Sequence, residues 1–158
     1  MEIKVQVTIN KPIAEVWEVM GNQFGHAHLW SSNFITSKPG GEKKFKDLDY
    51  SLRDTTTPNG KTIQELTEFD SKIQSLKYEI KSGKPEVAKF ASSHWFLEET
   101  KQGTVVRMDS ILEPKMELQV DMEAKIQKGL TASFNHLASE LKFYLENGTK
   151  KTASNTNS

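Results

Sequence analysis

His94, Tyr50 and Tyr78 have the clearest potential for acid–base work in this sequence. An imidazole titrates near neutrality, and beside a phenol in a closed site it could pass a proton either way. The plainer alternative is a histidine whose ring nitrogens are satisfied by local partners or by water. Arg53 and Glu65 form a second candidate, because a hairpin turning at Gly60 could set them opposite each other. Such a pair would either be buried and anchor a polar ligand head, or be an ordinary cross-strand ion pair on the wet face. Leu52 and Leu66 are apolar and fall on the alternate face, which favours the ordinary pair. His26 and His28 are two apart, a spacing that suits a metal on a strand and diverges on a helix. No cysteine or nearby acid completes a site, so no metal is expected. There is no glycine-rich phosphate loop, no Gly-x-Ser-x-Gly elbow and no His-Glu-x-x-His. No cofactor is expected, and no residue is assigned a catalytic role.

These side chains must be held by a sheet and one long helix. Leu118, Met122, Ile126, Leu130, Phe134, Leu137, Leu141 and Leu145 recur in steps of three or four, which predicts a helix over 118–145 with one apolar face. Asn147-Gly148 supplies its stop. At 1.5 Å per residue that helix is roughly 40 Å long and needs a broad sheet to cover it. The chain opens with an alternating strand, Ile3, Val5, Val7 and Ile9. Pro12 then suits the first turn of a helix carrying Ile13, Val16, Trp17 and Met20 inward, and a second short helix spans Phe24 to Trp30. From Asn33 to about Leu112 the pattern is strands and turns: 34–37, 44–53 with Leu48, Tyr50 and Leu52 on its apolar face, 62–69, 73–82, 90–98 and 104–112. Short turns between consecutive strands make the sheet antiparallel. The expected class is α+β: a curved antiparallel sheet of about seven strands around a C-terminal helix, with two short helices after the first strand. Residues 1–147 read as a single domain and 148–158, rich in Thr, Ser, Asn and Lys, as a flexible tail.

Bulk properties exclude several classes of function. Lys and Arg total 21, Asp and Glu total 21, so no net charge draws the chain to nucleic acid or to an anionic membrane. Without cysteine there are no disulfides, thiol nucleophiles or thiolate metal sites. No apolar run approaches the roughly 20 residues of a membrane span, so no stable membrane insertion is expected. The first residues read as a strand rather than a signal peptide, which points to a cytoplasmic protein.

Pro12-Ile13-Ala14-Glu15-Val16-Trp17 after the opening strand, followed by Trp30, resembles the start of the START/polyketide-cyclase (SRPBCC) superfamily, which includes the birch-pollen allergen. Arg53, Gly60, Ile63-Gln64-Glu65-Leu66, Asp70, Tyr78-Glu79-Ile80 and Gly83-x-Pro85 resemble, in order, its polyketide cyclase/dehydrase and lipid transport branch. Arg107 stands where related sequences often carry tryptophan or another bulky residue. The resemblance covers about residues 1 to 146. It implies the helix-grip fold and a cavity between sheet and C-terminal helix. There a small hydrophobic molecule (a lipid, a sterol-like compound or an aromatic polyketide) would be bound or carried. It also implies an alternative, cyclase or dehydratase chemistry in the same cavity. One scaffold hosts many activities, so the fold does not choose between them.

The candidate ligand-binding residues follow from a trial register. Phe24, His28 and Trp30 belong to a natural lid. Tyr50, Tyr78, His94, Phe96 and Met108 are set on the inner face of the sheet. Ile126, Leu130 and Phe134 come from the helix. In this register Leu76, Ile80, Phe90, Ser92, Val106 and Leu112 also point inward, and Trp95, Arg107 and Asp109 point out. A slip of one residue inverts every side chain of a strand. Gly129, in mid-helix, could leave room for a ligand.

Overall fold

The computed structural model describes residues 1–151. Most of the tail expected over 148–158 therefore lies outside the described residues. The chain runs β1 (Glu2–Ile9), α1 (Ile13–Trp17), a π-helical turn (Glu18–Asn22), a 3₁₀ helix (Phe24–Leu29), β2 (Thr36–Gly40), β3 (Leu52–Thr57), β4 (Gly60–Asp70), β5 (Ser75–Ser82), β6 (Ala88–Thr100), β7 (Gly103–Pro114) and α2 (Val120–Asn147). The strands form one seven-stranded sheet in the order β1-β7-β6-β5-β4-β3-β2. Every neighbouring pair is antiparallel. The helical excursion after β1 carries the chain from one edge of the sheet to the other. This is the helix-grip architecture expected from the sequence.

The core lies between the inner face of the sheet and α2. Ile3, Val5 and Ile9 of β1 are buried against the C-terminal half of α2, where Leu137, Ala138 and Leu141 are buried too. Polar contacts fasten the same end. Asn10 N–H donates to Glu146 at 2.8 Å, and Lys142 Nζ donates to the carbonyl of Thr8. The helix stops at Gly148, whose left-handed backbone (φ 75°) lets its N–H return to the Tyr144 carbonyl at 2.8 Å. Toward the other end the apolar face of α2 loses its cover. Ile126, Leu130 and Phe134 are half-buried, and Met122 and Val120 are 52% and 82% exposed.

Besides the shift of the expected 34–37 strand to Thr36–Gly40, two strand expectations are corrected. The expected strand over 44–53 begins only at Leu52. Residues 42–51 form an irregular loop closed by a single bridge between Phe45 and Leu48. The inner face of β3 is then Arg53 and Thr55, both buried, while Leu52 is half-buried. The second correction concerns β6. Trp95, expected outside, is fully buried; Ala91, Ser93 and Leu97 share its face, so Phe90, Ser92, His94 and Phe96 lie on the outer face.

The cause is the turns. β3 and β4 are joined through Pro58-Asn59, and β6 and β7 through Lys101-Gln102, each a two-residue turn. A two-residue turn pairs odd positions with even ones, so Trp95 faces Met108 and Arg53 faces Gln64. Met108 and Phe96 cannot then share a face. Met108, Val106 and Leu112 do face inward as expected, as do Leu76 and Tyr78.

Candidate functional site: the sheet–helix interior

Tyr78 on β5 stands at the centre of the interior. Its ring meets Phe24 at 5.5 Å and Trp95 edge-on at 5.6 Å between centroids, and Trp95 continues to Trp30 at 6.4 Å. Trp95 Nε1 donates to Ser93 Oγ at 2.8 Å, and Ser93 and Ser110 hydroxyls meet at 2.7 Å, so this aromatic wall carries its own polar partners.

Arg53 is enclosed by the same rings. Its guanidinium carbon lies 3.9 Å from the centre of the Phe24 ring, 4.9 Å from Phe34, 5.1 Å from Tyr78 and 5.6 Å from Trp95. Its Nε donates to Gln64 Oε1 at 2.8 Å and its Nη1 to the Phe24 carbonyl at 3.1 Å; Nη2 is buried without a partner. Burial lowers the Arg53 pKa to about 10, opposed by the phenols of Tyr78 and Tyr50. The group is a cation at neutral pH. Burial likewise raises the Tyr78 phenol, with the Arg53 charge pulling the other way.

The 3₁₀ segment Phe24–Leu29 is fastened by side chains from several elements. Tyr50 Oη accepts from Gly25 N–H at 2.7 Å and donates to the Asn22 carbonyl at 3.0 Å. Burial raises the Tyr50 phenol as well. Ser37 Oγ donates to the Gly25 carbonyl at 2.7 Å. Just beyond the segment, Glu140 of α2 is buried and accepts from Ser32 N–H at 2.9 Å and Ser31 Oγ at 3.3 Å. Phe24, Ala27 and Trp30 are thereby packed into the core, where they close one end of the interior.

Two clefts open on either side of a partition made by Tyr78, Ile80 and Phe134. One, about 130 Å³, has almost wholly apolar walls that include Ile3, Ala91, Leu112 and Leu130. The other, about 300 Å³, runs between α2 (Ser133, Phe134, Leu137) and the tip of the β3–β4 hairpin (Thr57, Pro58, Asn59), with Phe34 and Gln64 on its wall. A further hollow of about 360 Å³ lies on the outer face, where Lys4, Lys77, Glu79, His94 and Asp109 stand beside Phe90 and Ile111.

The expected site residues therefore divide. Tyr78, Leu130 and Phe134 meet at the clefts. Phe24, Trp30 and Met108 face the interior but are packed in the core, and Ile126 is half-buried further along α2. Tyr50 fastens the 3₁₀ segment. His28 is half-buried there, with Nδ1 buried and unpartnered, and its ring lies 6.2 Å from that of His26.

His94 and Phe96 are on the wrong side of the sheet for this site. Their rings stack at 4.5 Å on the outer face, and His94 Nε2 meets Ser75 Oγ at 2.8 Å. A His94–Tyr50 or His94–Tyr78 acid–base pair is thus ruled out by the sheet between them. The Arg53–Glu65 pairing is corrected too: Glu65 points out and takes Lys44 at 2.7 Å. Sequence reasoning missed Phe34 and Gln64 as wall residues, while Ile80, expected inward, lines both clefts. The signal for Gln64 was present, since counting back from the Pro58-Asn59 turn sets it opposite Arg53.

The fold and cleft define a class of protein that wraps a sheet around one helix and leaves space beneath it. The family model for polyketide cyclase/dehydrase and lipid transport proteins matches residues 1–142, and the chain belongs to that family. Solved structures agree on the fold. A START superfamily protein from Mycobacterium smegmatis aligns with a TM-score of 0.75 at 13% identity, covering 94% of this chain and 99% of that one. XoxI from Bacillus cereus gives 0.72 at 17% identity over 92% and 96% of the two chains. Ara h 8.0201 gives 0.69 at 12% identity over 92% and 97%. Among curated proteins no sequence matches. No helix among the described residues is long and apolar enough to cross a membrane.

Proposed function

We propose that this protein binds a small hydrophobic or amphipathic molecule between the sheet and α2, at Tyr78, Ile80, Leu130, Phe134 and Leu137. One observation carries the reading. The fully buried side chains of α2 are confined to 137–141, while Leu130 and Phe134 of the same apolar stripe stand half-buried over clefts of about 130 and 300 Å³. Rotation of Phe134 would join the two clefts into one trough. A lipid chain, a sterol-like skeleton or an aromatic polyketide laid there would gain about 25 cal/mol for each Å² of apolar surface buried, less the cost of immobilising it. Membership of a family described by cyclase, dehydrase and lipid transport activities supports the reading.

A second reading, cyclase or dehydratase chemistry in the same trough, is favoured by Tyr78 at its wall, with the buried Arg53 guanidinium carbon 5.1 Å from the Tyr78 ring. The two readings part on turnover. Delipidated protein mixed with a panel of fatty acids, sterols and aromatic polyketides should gain thermal stability from at least one class, with the compound recovered unchanged. A changed compound would favour the enzyme, and no stabilisation by any class would overturn both.

A further inference from the structure

Among the described residues Arg53 and Glu140 are the charged side chains that are fully buried. Glu140 is met by two donors from Ser31 and Ser32 and by His136. Arg53 has no such counterpart: it forms no ion pair with a carboxylate of the described residues. It spends Nε and Nη1 on a neutral amide and a carbonyl, the neutral Tyr78 phenol lies beside it, and its Nη2 is buried with no partner in hydrogen-bond geometry. A buried guanidinium left with neutral partners keeps most of its capacity for an oxyanion, and such charge-assisted contacts are about twice as strong as neutral ones. Three residues that surround it, Phe34, Gln64 and Tyr78, are also wall residues of the 300 Å³ cleft.

We propose that the molecule bound in this cleft carries an acidic head, a carboxylate or an equivalent oxyanion, which Arg53 receives through Nη2 at the wall formed by Phe34, Gln64 and Tyr78. The inference rests on the proposed ligand cavity and adds the chemical class of the guest. The aromatic rings hold the cation in place before the ligand arrives. Gln64 touches both Arg53 and the cleft, and its amide also donates to Thr62 Oγ1 at 3.3 Å. Being neutral, Gln64 can give way to an anion without leaving a second buried charge behind. The apolar remainder of the guest lies along Ile80, Phe134 and Leu137.

The test compares decanoic acid with decan-1-ol, two guests of one chain length, by calorimetric titration of the delipidated full chain near pH 8. Both should bind and displace each other, the acid more tightly by about tenfold or more. Arg53→Met should bring the acid down to the level of the alcohol and leave the alcohol unchanged. Equal affinities for the native protein, or a preference for the alcohol, would overturn the acidic head while leaving the cavity standing. Binding of neither would remove the cavity itself. If Arg53→Met does not fold, the acid–alcohol comparison on the native chain decides alone. Equal loss of both guests in a folded Arg53→Met would make Arg53 a packing residue and would also overturn the proposal.

Discussion

Arg53 and Phe24 are joined twice: Nη1 donates to the Phe24 carbonyl at 3.1 Å, and the guanidinium carbon lies 3.9 Å above the Phe24 ring. The pair ties the far side of the sheet to the 3₁₀ segment that closes the interior. Phe24 is 1% exposed, so Phe24→Ala should cost about 3–5 kcal/mol in urea unfolding through the cavity it leaves. Arg53→Ala should cost about as much, because it strips Gln64 and the Phe24 carbonyl of their donor and opens a void. Arg53→Met strips the same two acceptors, but it fills the volume and removes a buried charge. It should stay within about 1–2 kcal/mol of the native protein.

Glu140 joins α2 to the turn after the 3₁₀ segment through Ser32 N–H at 2.9 Å. Glu140→Ala leaves that donor and the Ser31 hydroxyl without their acceptor and should destabilise by about 1–3 kcal/mol. Glu140→Gln keeps an acceptor oxygen and should recover much of the loss. Equal losses in the two variants would show that the carboxylate charge, and not the hydrogen bond, holds the turn.

Gly129 was a candidate for making room beneath the helix. It is instead exposed, and a Cβ there would meet nothing within 4 Å. Gly129→Ala should therefore raise stability by about 0.8–1 kcal/mol through helix propensity alone. Ligand affinity should not change.

Burial, and then the neighbouring Lys77, lower the His94 pKa on the outer face, against the weaker pull of Asp109 and Glu68. The unfolded chain then takes up the proton at a higher pH than the folded one. Stability due to this group is complete above about pH 6.5 and declines as pH falls from there through the lower folded value. His94→Gln removes the effect. The difference in unfolding midpoint between the native protein and the variant should shift toward the variant between pH 7.5 and about 5.5. A constant difference would contradict the depressed pKa.

Much of this fold was legible because its signals are local. The apolar stripe of α2, the Asn147-Gly148 stop and the alternation of β1 each stand within one element. The interior was less so, because a face is fixed by register, and register by turn length. Reading Lys101-Gln102 as a two-residue turn would have brought Trp95 in with Met108 and sent His94 and Phe96 out. Arg53 was left between a buried anchor and a wet-face partner of Glu65, and the apolar Leu52 and Leu66 on the alternate face favoured the latter. Here four aromatic rings contributed from Phe24, Phe34, Tyr78 and Trp95 make the interior tolerable for it. Those residues are scattered along the chain, and only the fold assembles them. Tyr50 shows another limit. It lies in the loop before β3, where its hydroxyl meets Gly25 and Asn22, contacts no periodicity encodes.

The most direct test is a two-dimensional NMR titration of isotope-labelled protein with decanoic acid. Saturable shifts are expected at Phe34, Gln64, Ile80, Leu130, Phe134 and Leu137, with His94, Phe96 and Asp109 on the outer face unmoved. Shifts confined to the outer face, or no saturable shift anywhere, would contradict a ligand held between the sheet and α2.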